Sequence, residues 1–291
     1  MYCSDISEIC LNDEYLMFAD DTCLVYVDSD LNTLVSRVNE RLYRLYDWCV
    51  YNELYLNLSK CNYMLVTPKK VTEDPVILLG GERILRARSV KYLGVYLDDS
   101  LKFQDQINHL SKKMSQICGV SYRLGHHLDL GSAYNFYYSC VYSTLTYCVC
   151  VWGGVLQCTA RANLLQRLQS KIVKNIFGSY ASTDGCLFKN TEILKVADIH
   201  RFCIGVYMYK IVKMNINPTL QVNLDLKFPS HEHGTRNFND LILPFPRIES
   251  IRINYKYQCT KIWNCIPVLI KEQPNLKMFK KFFKKHMLEM Y

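Results

Sequence analysis

Apolar residues follow two kinds of pattern along these 291 residues: short or alternating runs at the front, and helix-spaced stripes from Leu101 onward. "EYLMFA" (14–19) and "TCLVYV" (22–27) predict two strands joined by a turn at Asp20 and Asp21. The turn has no glycine, but aspartate tolerates left-handed backbone better than most residues. In "DSDLNTLVSRVNERLYRLYDWC" (28–49), Leu34, Val38, Leu42, Leu45 and Cys49 recur at helical spacing, with Asp30 as N-cap. "YLNLSKCNYMLVT" (55–67) alternates and predicts a strand. Residues 75–99 predict short strands turning at Gly80-Gly81 and at Gly94.

Beyond Leu101 the pattern is helical. Ile107, Leu110, Met114 and Ile117 form one stripe. In "RANLLQRLQSKIVKNIFG" (161–178), Leu164, Leu165, Leu168, Ile172 and Ile176 make an apolar face. Arg161, Arg167, Lys171 and Lys174 make the other, and Gly178 stands as the C′ residue. A further helix is predicted over Thr191–Met214. Pro218, Pro229, Pro244, Pro246 and Pro267 punctuate the rest, which ends in the basic helix "NLKMFKKFFKKHMLEMY" with Phe279, Phe282 and Phe283. From Leu130 to Ala160 there is neither a charge nor a histidine, a length that could span a bilayer. Asn135, several Ser and Thr, and Tyr134, Tyr137, Tyr138, Tyr142 and Tyr147 are costly in lipid, so the expectation is a buried helix and no membrane partner.

Charge sharpens this division. Residues 1–100 hold 10 Lys/Arg and 16 Asp/Glu (net −6), and residues 101–291 hold 25 and 11 (net +14). A basic rear suits a polyanion, and equally suits lysines that solvate helix faces. The 14 cysteines are scattered, with no paired C-x2-C spacing. That argues for thiols in a reducing, intracellular compartment, nucleus or cytoplasm, without a disulfide frame and without zinc. The N-terminal "MYCSDISEIC" lacks the basic start of a signal peptide.

The adjacent acids are the candidate chemistry. Carboxylates are hard ligands suited to Mg²⁺. Neighbouring side chains on an extended strand point to opposite sides, so a two-metal site needs another carboxylate from elsewhere. A plain turn needs no metal at all.

The series of motifs resembles the reverse transcriptase of non-LTR (LINE-type) retrotransposons. "YLMFADDTCLVY" resembles the family's motif C, "YCSDI" the segment before it, and "LNLSKCNYMLVT" motif D. "VKYLGVYLDDSLKF" resembles the next hairpin and first thumb helix. "YCVCVWGG" and "LQRLQSKIVKNIFG" resemble thumb segments, and "HGTRNFNDLILPFPR" and "IWNCIPVLIKEQPNLKMFKKFFKKHM" the C-terminal tail. The resemblance implies an α+β chain: a partial polymerase palm over 1–100, a helical thumb over 101–185, and a basic tail over 186–291.

It also implies roles. Asp20 and Asp21 would be catalytic metal ligands of a two-Mg²⁺ site, with Phe18 and Ala19 under the primer terminus. Lys60 would neutralise the leaving pyrophosphate, or is simply a solvated strand end. Tyr92, Leu93 and Gly94 would shape a primer-grip hairpin. Arg161, Arg167, Lys171 and Lys174 would track phosphates, or solvate their helix; Trp152 and Trp263 are expected in the core. The partners implied are an RNA template with a DNA primer, or an RNA–DNA hybrid. Only 19 residues precede Asp20, and they lack the motif-A aspartate. The expectation is therefore a C-terminal reverse-transcriptase segment that does not polymerise alone, unless a second polypeptide completes the palm. A non-catalytic RNA/DNA-binding module and a decayed retroelement relic are the alternatives.

Overall fold

A computed structural model describes residues 14–19, 21–69, 71–157, 160–178, 187–216, 240–243 and 254–291. It is a mixed helix-and-strand chain, rich in helix, with two compact units, one within Met1–Val90 and one within Lys91–Tyr291.

In the first unit, β1 (Glu14–Phe18) and β2 (Asp21–Val25) pair antiparallel, with Phe18 opposite Asp21. Helix α1 (Leu31–Tyr51) follows, capped by Asp30, whose carboxylate accepts from the Thr33 backbone N–H at 2.8 Å. Its apolar stripe covers a three-stranded sheet in the order β3 (Asn62–Tyr63), β5 (Glu82–Arg86), β4 (Ile77–Leu79). Leu42, Ile77, Leu79 and Ile84 are buried there, with Val35, Val38 and Leu45 packed around them. The hairpin β4–β5 turns at Gly80 and Gly81, both at positive φ. Asn39 of α1 meets the free edge of β4. Its amide donates to the Val76 carbonyl at 3.0 Å and accepts from the Leu78 N–H at 2.8 Å, which blocks that edge from pairing further.

The strand expected over 55–67 is reduced to the two residues of β3, paired parallel with β5. Leu58–Lys60 instead forms a 3₁₀ turn, held by Lys60 N–H to the Asn57 carbonyl at 3.0 Å and by the Ser59 hydroxyl on the Asn57 side chain at 2.6 Å. Local side-chain bonds of Asn and Ser compete here with the sheet ladder.

Strands β6 (Ser89–Tyr92) and β7 (Val95–Asp98) form the next hairpin. Then come α2 (Gln104–Leu124), α3 (Leu130–Phe136), α4 (Ser143–Thr146), α5 (Val149–Trp152), α6 (Ala160–Phe177), α7 (Leu187–Asn190), α8 (Val196–Val212), α9 (Tyr255–Cys265), α10 (Val268–Lys271) and α11 (Leu276–Glu289). Trp152, Trp263, Tyr137, Phe177, Phe279 and Met114 lie fully buried in the core of this second unit, so both tryptophans are core residues. The helix expected over Thr191–Met214 begins later, at Val196, because Thr191 closes the turn after α7.

The uncharged stretch is not one helix. Between α3 and α4, Tyr137–Tyr142 is a π-helical segment, and Cys148 at φ 49° breaks the chain before α5. The Ser139, Thr144 and Thr146 hydroxyls bond carbonyls one turn back, the geometry that bends helices. The Tyr147 carbonyl, freed at the break, accepts from the Trp152 indole at 2.8 Å. Leu130–Thr146 and Val149–Leu156 meet at 51°, and no single described helix is long and apolar enough to cross a membrane. On α6, Leu164 is exposed rather than on the apolar face. The buried stripe is Ala162, Leu165, Gln169, Ile172, Val173 and Ile176.

Candidate nucleic-acid interface

The acidic turn is a two-residue hairpin connection. Such turns favour positive φ, and Ala19 takes it, at 55°. Asp20 lies outside the described residues. Asp21 opens β2 and is exposed, as are Leu16, Met17 and Phe18 on the opposite strand. Among the described residues no three His, Cys, Asp or Glu side chains converge on a point that could hold a metal. Lys60, exposed at the end of its 3₁₀ turn, has no ion pair or hydrogen bond with Asp21. The described residues therefore do not by themselves build a two-metal centre.

The hairpin β6–β7 is better defined. Its turn is Leu93 at φ 45° and Gly94 at φ 82°, two left-handed residues in succession. The Tyr147 hydroxyl donates to the Leu93 carbonyl at 2.6 Å, and a Cβ on Gly94 would stand 3.2 Å from the Tyr147 ring. A glycine is needed at this second position both for its φ and for the tyrosine beside it. Half-buried Tyr92 leads into the turn.

Asp98 ties the hairpin to α2. Its buried carboxylate accepts from the N–H groups of Ser100, Lys102 and Gln104 and from the Ser100 hydroxyl. Burial would raise its pKa, but these donors outweigh burial and hold it below the usual carboxylate value. From the first turn of α2, Gln106 accepts the Tyr96 N–H at 3.0 Å.

Beneath the turn lies an open groove of about 300 Å³, lined among others by Gly94, Gln106, His109, Lys113, Ser143 and Tyr147. His109 packs its ring on Tyr96 at 5.1 Å, and the Lys91 ammonium lies 5.8 Å from the same Tyr96 ring. Of the lining residues His109 and Lys113 are exposed, and Lys113 brings a positive charge to the groove, while exposed Lys91 lies over Tyr96. Tyr147, His109 and Lys113 escape sequence reasoning. Only the "KK" on the polar side of the α2 stripe hinted at Lys113, and nothing local links Tyr147 to a turn 54 residues earlier.

Helix α6 carries the second feature. Arg167, Lys171 and Lys174 are all exposed and share one side, opposite Leu165, Ile172 and Ile176. Arg161 lies in the same helix; its side chain is outside the described residues. Two glutamines fix the helix's rotation. Gln169, fully buried, donates to the Tyr137 hydroxyl and to the Leu194 carbonyl, both at 2.8 Å. Gln166 accepts the Val196 N–H at 2.8 Å, satisfying the start of α8. Helix α2 crosses close by: a Cβ on Gly125 would lie 2.1 Å from the Asn175 carbonyl oxygen, and Asn175 bonds the Ser121 hydroxyl at 3.0 Å.

No family model matches the chain, and no solved structure matches it. Curated proteins do. The chain is 26% identical over 164 residues, 55% of its length, to the "Probable RNA-directed DNA polymerase from transposon X-element" of Drosophila melanogaster. It is similar to RNA-directed DNA polymerases of non-LTR mobile elements. The polymerase from mobile element jockey of the same fly is 25% identical over 206 residues, 69% of this chain. Its Drosophila funebris counterpart is 25% identical over 165 residues, 56% of the chain. The matched stretches span only about a fifth of these polymerases, 18%, 22% and 18% of their lengths.

Proposed function

We propose that this chain is a nucleic-acid-holding segment of a retrotransposon-type RNA-directed DNA polymerase: the end of a palm, a helical thumb and a basic tail. The observation that carries this reading is the groove under the Leu93–Gly94 turn, with Lys113 in its wall, seen together with similarity to polymerases of that class. A two-residue turn pinned by Tyr147 above a groove walled by exposed His109 and Lys113 suits the backbone of a primer strand. The α6 stripe of Arg167, Lys171 and Lys174, with Arg161, suits the phosphates of an RNA–DNA hybrid on its template.

In this reading Asp20 and Asp21 form one side of a two-Mg²⁺ site, and Lys60 serves the leaving pyrophosphate. The metals would neutralise charge on the incoming triphosphate. The other carboxylates would come from the remaining polymerase sequence or a second polypeptide, so this segment does not extend a primer by itself.

Primer extension on an RNA template with Mg²⁺ or Mn²⁺, run beside Asp20→Ala, tests the last point. The expected result is no product, and robust synthesis lost in the Asp20→Ala chain would overturn it. Binding of a short RNA–DNA hybrid across a salt series tests the rest. The α6 residues alone are expected to contribute about −3 to −4 to the log–log slope, for roughly four phosphates neutralised. Absence of binding at low salt would sink the reading. A non-catalytic RNA/DNA-binding module or decayed retroelement relic is the second reading. Hybrid binding with no catalysis in any complex would support the module.

A further inference from the structure

Helix α11 carries a cationic surface separate from the groove and from α6. Asn275 caps this helix by accepting the Met278 N–H at 2.9 Å. Its rotation is set from below. Phe279 stacks on Tyr209 at 4.4 Å between ring centres, and Phe283 on Phe202 at 5.8 Å. Phe283 also sits over Gly205, where a Cβ would come within 2.4 Å of its ring. With Phe279, Phe283 and Met287 in the core, Lys277, Lys280, Lys281, Lys284 and Lys285 are turned to the other side. Their spacing, i, i+3, i+4, i+7, i+8, is that of a single stripe, about 12 Å long from first to last. Four are exposed and Lys284 is half-buried. Among the described residues their sole ion pair is Lys285 with Glu289 at 3.9 Å, between two well-exposed side chains, and such a pair neutralises little.

We infer that this lysine stripe is a second nucleic-acid contact, separate from α6, which grips the phosphate backbone without reading sequence. The inference rests on the nucleic-acid reading above. Lysines are flexible point charges, suited to phosphates and lacking the planar fork that reads base edges. A 12 Å stripe matches about three to four phosphates of one strand at 3.4 Å each. An anionic membrane is the poorer fit. A basic helix binds lipid by sinking its apolar face, and here Phe279 and Phe283 are committed to Tyr209, Phe202 and Gly205, which leaves only Met278 and Phe282 exposed beside the lysines.

The test is anisotropy titration of a short RNA–DNA hybrid with the full chain over a salt series. Three chains are compared: unaltered; Lys277, Lys280, Lys281, Lys284 and Lys285 all →Ala; and the same five →Arg. The Ala variant is expected to bind roughly 10-fold or more weakly at low salt, with a slope shallower by about 2 to 3. The Arg variant, which keeps the charge, should bind like the unaltered chain. Circular dichroism checks that the Ala variant keeps its helices; if it does not, the five →Gln variant replaces it. An unchanged slope in the folded neutral variant overturns the inference while leaving the α6 reading intact. No binding by the unaltered chain removes both. Binding to phosphatidylserine vesicles that the neutral variant loses, with hybrid binding unaffected, also overturns it.

Discussion

Asp98 shows how much one side chain can organise. It is buried with no cationic partner among the described residues, yet four donors from Ser100, Lys102 and Gln104 converge on it. Through them it shapes the bend between β7 and α2, where Leu101 and Phe103 both take positive φ. Asp98→Ala would leave three backbone N–H groups without their acceptor and is expected to cost about 2–3 kcal/mol, read from denaturant unfolding. An unchanged midpoint would show that water replaces the carboxylate. Sequence reading placed Asp98 only near the end of the short strands predicted over 75–99. The pattern carries no sign of which aspartate is buried, because burial depends on where α2 folds back.

Among elements, the crossing of α2 and α6 is the tightest contact described here. Gly125 lets the end of α2 approach the Asn175 carbonyl, and the obstacle is backbone that cannot rotate away. Gly125→Ala should therefore destabilise by about 1–3 kcal/mol, visible as a lowered thermal midpoint, whereas Gly119→Ala, with open space around it, should not. Helix α6 was legible as an amphipathic helix, with Arg167, Lys171 and Lys174 on the polar side. Its apolar face was only partly legible. Leu164 looked like core because leucine is apolar; the fold leaves it exposed and buries Gln169 instead, which has two hydrogen-bond partners waiting. A hydropathy pattern cannot foresee a satisfied buried glutamine.

At the scale of the whole molecule, His200 sets an acid limit. Burial, with a smaller contribution from Arg201, pushes its pKa down from 6.5 to about 4. Its Nε2 has no hydrogen-bond partner among the described residues, and its ring fills the space above Gly153. The unfolded chain thus binds a proton that the folded chain refuses. Stability should fall as pH drops from about 6.5 towards 4, by about 3 kcal/mol in all. The Asp98 pKa is shifted in the same direction, downwards, and its contribution acts in a lower pH range. It is complete above the ordinary aspartate pKa and is lost only at lower pH, as the carboxylate protonates in the fold. Two acid steps are expected in unfolding measured against pH. His200→Leu should flatten the upper one and leave the lower; an upper step that persists would assign it to another group.

The sequence by itself determined the local elements whose cause is local: the β1–β2 hairpin, the Asp30-capped helix, the glycine turns at Gly80-Gly81 and Gly94, and the amphipathic α6 and α11. It also carried the motif series by which the chain resembles mobile-element polymerases. Only the tertiary structure decided the rest. It broke the uncharged stretch, where hydroxyls and a π-helical segment redirect the backbone. It brought Tyr147 to the Leu93 carbonyl across 54 residues, and it rotated α11 so that Phe279 and Phe283 face inward and most of its lysines outward, with Phe282 left exposed. These outcomes depend on which groups meet in space, and spacing along the chain does not encode such meetings.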